Sequence, residues 1–254
     1  MRYLTRKRKE FLGHFRNHTV LSISDIYRLL GAKNETQERA VRRMMKQTFE
    51  AGYTLRQRVW NPDEISETTP HWHYVYRLSK HGADVVHVRA KREQSSSSVE
   101  HDETTERAMV ELKTKWPDKV YFLPGELKRT INPDKAFGLQ KKDSWFYFFW
   151  ETVKHRQDLS RTDFKGLIKR LQRYDSYRKS DQCKQDWKLF RDFRVLLSVP
   201  TEELRSNFLV RLAKELPYTW IWVTTEAEWA RDITAEIWLT PRDYATTSHS
   251  LLNV

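Results

Sequence analysis

Two carboxylates, Asp134 and Glu151, lie within INPDKAFGLQKKDSWFYFFWETVK, residues 131–154. KKDS reads as the loop of a hairpin between the strands DKAFGLQ and WFYFFWETV. Gln140 then pairs with Trp145, and the same register sets Asp134 directly opposite Glu151. Like charges facing each other across a sheet repel and need compensation. A divalent cation supplies it: Mg²⁺, with Mn²⁺ as its substitute, is held by one or two carboxylates, water and substrate phosphate. Such an ion polarises a phosphodiester and lowers the pKa of an attacking water. Lys154 is placed to stabilise the charge that develops. A one-residue slip in register would separate the two acids. Taken singly, Asp134 reads as a turn residue after Pro133, and Lys154 as a solvated strand end.

The second set of candidate residues is basic. NETQERAVRRMMKQTFEAG reads as a helix capped by Asn34 and stopped at Gly52, with Ala40, Met44 and Phe49 as its apolar stripe. Its polar face offers Gln37, Arg39, Arg42, Arg43 and Lys46. Arg and Gln can pair with base edges, while Lys mainly meets phosphate; the alternative is a solvated helix face. Before it, residues 4–16 read as a helix, and SISDIYRLLG as another that starts at Ser24 and ends at Gly31. After it, YTLRQRVW and HWHYVYRLS read as strands joined by NPDEISETTP, a β-wing carrying Arg56 and Arg58. Two short helices, a turn and a basic helix follow the helix-turn-helix order. His71 and His73 share a strand face at metal-ligand spacing, but no third ligand is evident, so a wing contact or packing is the simpler reading.

These residues sit in a chain of 254 residues with net charge +12. Residues 1–90 hold 17 Lys and Arg against 9 Asp and Glu, so that third carries +8 of the surplus. Such a balance favours a polyanion, duplex DNA first. Only seven glycines are present, and no glycine-rich phosphate loop. Cys183 is the lone cysteine, which excludes an internal disulfide or cysteine zinc site and fits a reducing cytoplasm. The N-terminus lacks the apolar core of a signal peptide, and WFYFFW is too short to span a bilayer. That aromatic run reads as core rather than as a base-stacking surface.

The Ser-rich stretch 91–102 reads as a linker, which divides the chain into a winged-helix domain at 1–90 and a second domain at 103–254. The second domain runs αβββαβαβ. TTERAMVELKTKW is an amphipathic helix with Ala108, Met109, Leu112 and Trp116 on one side. KVYFL and the hairpin follow, then SRTDFKGLIKRLQRYDSY with Phe164, Leu167, Ile168, Leu171 and Tyr174 as core stripe. FRVLLSV, a helix capped by Thr201, YTWIWVT and AEIWLTP complete it. The continuous apolar strands predict a mixed α/β sheet covered on both faces.

Residues 4–88 resemble the winged-helix modules of bacterial DNA-binding proteins. The order of elements with Pro-Asp, then Glu and a nearby Lys, resembles the PD-(D/E)xK nuclease superfamily, of restriction-endonuclease-like fold. That resemblance implies Asp134 and Glu151 as metal ligands, Glu106 as an additional acid and a lysine as catalytic aid. The pattern places its lysine where this chain has Val153. Lys154 faces the other way in a regular strand, so a β-bulge, or Lys165 or Lys169, would have to serve, or the site has decayed. Taken whole, the chain is similar to the replication-relaxation family of plasmids and conjugative elements, through the N-terminal winged helix, His101, NPDKAFGL, FFWETVKH, LQRYDSY and FRVLLSV with the helix after it. In that family another acidic residue follows the second acid, and here Val153 replaces it. The resemblance implies processing of mobile-element DNA, by metal-dependent nicking or cutting, or its control by a non-catalytic DNA-binding protein. A palindromic target would call for a homodimer.

Overall fold

The computed structural model describes residues 4–60, 72–89, 95–123, 131–142, 144–153, 161–186, 193–243 and 247–251. Close contacts group the chain into two compact units, residues 1–114 and 115–254.

In the first unit, α1 (Arg6–His14) is capped by the Thr5 hydroxyl and buries Phe11 and Leu12. A two-residue strand β1 (Leu21–Ser22) leads into α2 (Ile23–Leu29). Ser22, not Ser24, caps α2, because its hydroxyl accepts the Asp25 N–H while Asp25 accepts the Ser22 N–H. Gly31 takes a positive φ of 63° and ends that segment. Asn34 caps α3 (Glu35–Glu50), and Gly52, at φ 77°, closes it as expected.

The buried stripe of α3 is Val41, Met45 and Thr48, one residue away from the expected Ala40, Met44 and Phe49. Thr48 is tolerated inside because its hydroxyl donates to the Met45 carbonyl at 2.9 Å. Strands β2 (Thr54–Trp60) and β3 (Trp72–Leu78) pair antiparallel, from Thr54 with Leu78 to Trp60 with Trp72. The loop expected as a wing tip, 61–70, lies outside the described residues. β1 adds to β3, giving the sheet order β1-β3-β2. The short α4 (Lys80–Val85) is capped by Ser79. α5 (Ser96–Lys115) begins inside the stretch expected as linker. The core joins Phe11, Leu12, Phe15, Leu21, Ile26, Met45, Val86 and Val110.

Gly82 is where backbone meets backbone in this unit. A Cβ there would lie 2.0 Å from the Tyr53 carbonyl oxygen. That oxygen also receives the Ser79 N–H at 3.0 Å, so it has no room to retreat. Gly82→Ala is therefore expected to destabilise this unit by about 2–3 kcal/mol, the scale of an overpacked core. Urea unfolding of the variant checks it; an unchanged midpoint would contradict the close approach.

The second unit is built on a seven-stranded mixed sheet of order β10-β9-β8-β7-β6-β5-β4. Its strands are β4 (Val120–Phe122), β5 (Lys135–Lys141), β6 (Ser144–Thr152), β7 (Phe193–Val199), β8 (Ile221–Thr225), β9 (Trp238–Leu239) and β10 (Ser248–His249). The order β5, β6, helix, β7, helix, β8 agrees with the sequence, and β6, β7 and β8 pair parallel. The terminal strand β10 and the short helices α7 (Asp181–Asp186) and α9 (Glu226–Asp232) carry too little periodicity to be foreseen. α6 (Arg161–Lys179) and α8 (Glu202–Glu215) pack on one face, where Phe164, Ile168, Leu171, Tyr174, Phe208 and Leu212 meet Phe149, Val195, Leu197 and Val223. On the other face Trp150 meets Trp229 of α9 and Trp238 edge to face, with ring centroids 6.0 and 5.8 Å apart. β7 and β8 are buried almost throughout.

The aromatic run is divided. Phe148, Phe149 and Trp150 are fully buried, but Trp145, at its start, is 41% exposed. The expectation that the run is core holds only for its second half, because the hairpin extends past the helices that cover the sheet.

Candidate functional site

The hairpin register is the expected one: Lys135 pairs with Trp150, Gln140 with Trp145 and Lys141 with Ser144. Asp134, one residue before β5, sits at the end of this ladder opposite Glu151. Its Oδ2 accepts the Thr152 N–H at 2.8 Å, so a side-chain oxygen extends the strand pairing. Glu151 is 1% exposed. It shares a strand face with Phe149 and Val153, the face packed by α6.

Arg170 and Tyr174 stand one helical turn apart on α6 and reach the same carboxylate. The Arg170 guanidinium donates to Glu151 Oε2 at 2.5 Å, and the Tyr174 hydroxyl donates to Oε1 at 2.5 Å. Burial, and then the nearby Asp134, push the Glu151 carboxyl up to about 7, against the opposing pull of Arg170 and Tyr174. Burial and Glu151 push the Tyr174 hydroxyl well above its ordinary value. The pocket beside them is lined by Ile131, Asn132, Asp134, Arg170, Arg173 and Tyr174. Arg170 was not singled out from the sequence, and Tyr174 entered only as a core residue. Their i, i+4 spacing on a helix facing the strand of Glu151 was the available signal.

A divalent ion is poorly matched to this arrangement. Each Glu151 oxygen already receives a hydrogen bond, and the positive charge that offsets the two carboxylates is a guanidinium. Among the described residues no cluster of three His, Cys, Asp or Glu side chains is shaped to hold a metal. The lysine position of the nuclease pattern is Val153, 8% exposed and part of the apolar core. β6 pairs with β7 without a slip from Tyr147 to Thr152, and the Val153 N–H then donates to the Ser198 carbonyl at 2.8 Å. No bulge reorients the chain as far as Val153. Lys154 lies outside the described residues. Lys165 and Lys169 are exposed on α6.

Glu106 is buried within the first unit. Its Oε2 lies 2.9 Å from His18 Nδ1, and its Oε1 accepts the Thr19 N–H at 2.7 Å and hydroxyl at 2.8 Å. These bonds anchor α5 to the segment after α1. His73 Nε2 meets Glu103 Oε1 of α5 at 2.5 Å, so a carboxylate partners that imidazole; His71 lies outside the described residues.

The basic candidates of the first unit are on its surface. Gln37, Arg39, Arg42, Arg43 and Lys46 are all exposed on α3. Gln37 accepts the Lys33 N–H at 2.6 Å and so helps close the turn. Arg39 pairs with Glu35 at 2.6 Å, and Lys46 lies 3.8 Å from Glu50. Arg42 donates to the Tyr27 hydroxyl of α2, which holds it across the turn. Arg43 makes no ion pair among the described residues. Exposed pairs of this kind are worth at most about 1 kcal/mol, so phosphate can displace them. Arg56 lies between the rings of Phe49 and Tyr74, 4.7 Å from each centroid, a position set by packing. Arg58 is carried by β2, two residues further on.

A family model described as replication-relaxation matches residues 12–192. No curated protein matches the chain. Among solved structures, that of the restriction endonuclease FokI aligns with 89% of this chain at 15% identity and a TM-score of 0.35. The alignment covers 43% of the FokI chain, so this chain spans less than half of that protein's length.

Proposed function

The chain belongs to the replication-relaxation family, and from that premise we propose that it binds duplex DNA in the replication or transfer of a plasmid or mobile element. In this reading its second unit is a nuclease-like scaffold that does not cut. The order α1, α2, α3 followed by the β2–β3 ribbon supports a winged-helix module in the first unit, with α3 entering the major groove. The exposed row of Arg39, Arg42, Arg43 and Lys46 supports that placement. The β5–β6–α6–β7–α8–β8 order supports a restriction-endonuclease-like core in the second.

Arg170 carries the non-catalytic reading. Its guanidinium stands against Glu151 and supplies the positive charge that a metal-dependent centre takes from its ion. Val153 adds to this by closing the lysine position with apolar packing. The second reading, metal-dependent nicking at Asp134 and Glu151 with Mg²⁺ or Mn²⁺, is favoured by one observation, the register that sets the two acids opposite each other. It requires Arg170 to leave Glu151.

The salt response tests duplex binding. Neutralising phosphates releases counterions, so the logarithm of affinity should fall linearly with the logarithm of salt, by roughly 0.9 per phosphate contacted. Titration of labelled duplex at a series of ionic strengths measures that slope. A flat response would remove the electrostatic basis of the proposal.

A further inference from the structure

The register of the second unit's outer strands places an aromatic ledge where the sheet is left uncovered. Lys119, Gln140 and Trp145 form one row across β4, β5 and β6: the Gln140 N–H donates to the Lys119 carbonyl, and Gln140 pairs with Trp145. Tyr121, Gly138 and Tyr147 form the next row. Paired residues share a face. The row beyond, Leu123, Ala136 and Phe149, packs into the core beneath α6. One sheet face thus passes from core to open surface over three rows.

At the open end Tyr121 is 57% and Trp145 41% exposed. Their rings meet edge to face at 6.4 Å, and Trp145 stacks on Tyr147, also at 6.4 Å, with planes 30° apart. Gly138 explains how the rings lie down on the sheet: a Cβ there would stand 3.0 Å from the Tyr147 ring and 3.1 Å from that of Trp145. Among the described residues the exposed large apolar side chains of this ledge are aromatic, with no aliphatic one beside them. Lys119, in the first row, and Lys142, at the hairpin tip, are exposed around it, against the exposed Asp118.

We propose that the Tyr121–Trp145–Tyr147 ledge, with Lys119 and Lys142 at its rim, binds single-stranded nucleic acid by stacking bases on its rings. Exposed rings with a basic rim suit a flexible strand, whose bases offer flat faces and whose phosphates need cations. A duplex hides its base faces inside the stack. The ledge shares no residue with α3 or with the Glu151 pocket, so it stands or falls independently of the function proposed above.

The test is fluorescence anisotropy of the full chain with dye-labelled oligo(dT), oligo(rU) and a duplex. Trp145→Ala and Tyr121→Ala should each weaken oligo(dT) binding about tenfold, and leave duplex affinity unchanged. Trp145→Phe should retain most of the affinity. Lys119→Glu, which touches no ring, should weaken single-strand binding and flatten its loss with salt, because one phosphate contact fewer releases fewer counterions. The tighter of the two single strands identifies the natural ligand as DNA or RNA. Oligonucleotide affinity unaltered by Trp145→Ala and Tyr121→Ala would overturn the proposal. So would an equal loss for duplex and single strand, and an unaltered affinity in a Lys119→Glu chain that unfolds at the wild-type temperature would also contradict it.

Discussion

Arg170→Met should cost the second unit about 2–3 kcal/mol at alkaline pH, because it strips the counter-ion from the buried Glu151 carboxylate, a loss smaller than for a fully buried pair since the Arg170 side chain is 43% exposed. The substitution leaves Glu151 beside Asp134 with Tyr174 as its remaining donor, and Met fills much of the space of the Arg stem. The loss should depend on pH. Glu151 has its carboxyl raised to about 7 from an ordinary 4.5, so between those values the folded chain holds a proton that the unfolded chain has released. Its contribution is fully present on the acid side of that window and is lost as pH rises through about 7, a swing of about 3 kcal/mol. Removing Arg170 takes away an influence that lowers this value, so the window extends to higher pH. The variant should therefore lie closest to wild type near pH 5 and furthest from it at about pH 8. Adding Glu151→Gln to Arg170→Met should recover most of the loss, because no buried charge is then left unpaired. Urea unfolding followed across this pH range measures all three chains. A pH-independent loss, or no rescue by Glu151→Gln, would show that Arg170 is not the counter-ion of Glu151.

Replacing both Arg42 and Arg43 with Ala should weaken duplex binding by about 100-fold, from about 1–3 kcal/mol for each arginine that reads a base or grips the backbone. The two differ in preparation. Arg42 is held across the turn by Tyr27, whereas Arg43 carries no ion pair among the described residues. Tyr27→Phe should thus reduce the Arg42 contribution alone, and its effect should vanish in an Arg42→Ala background. Duplex titrations at one fixed salt concentration give the comparison. Undiminished binding by the double variant would mean that α3 is not the helix that meets DNA.

Local chemistry made much of this fold legible. The KKDS turn and the alternation around it fix the β5–β6 register, and with it the placing of Asp134 opposite Glu151. Asn34, Gly52 and Thr201 act as stop or cap where their chemistry predicts. The stripe of α3 was misread by one residue because Met44 and Met45 are adjacent and Thr48 looks polar; its inward hydroxyl bond shows only in three dimensions. The counter-ion of Glu151 was illegible for a different reason. Arg170 is nineteen residues away on a helix whose rotation about its axis decides which basic side chain points at the strand, and Lys165, Lys169, Arg170 and Arg173 all compete on sequence grounds. The nuclease resemblance implied Glu106 as an additional acid, whereas the partners that hold it, His18 and Thr19, lie more than eighty residues earlier.

The most direct measurement is incubation of a supercoiled plasmid with the full chain in Mg²⁺ or Mn²⁺, scored both for retardation and for conversion to open circle. Retardation without conversion, unchanged in Asp134→Ala and Glu151→Ala chains that remain folded, is the predicted result. Metal-dependent nicking that both substitutions abolish would contradict it and make Arg170 a gate rather than a replacement for the ion.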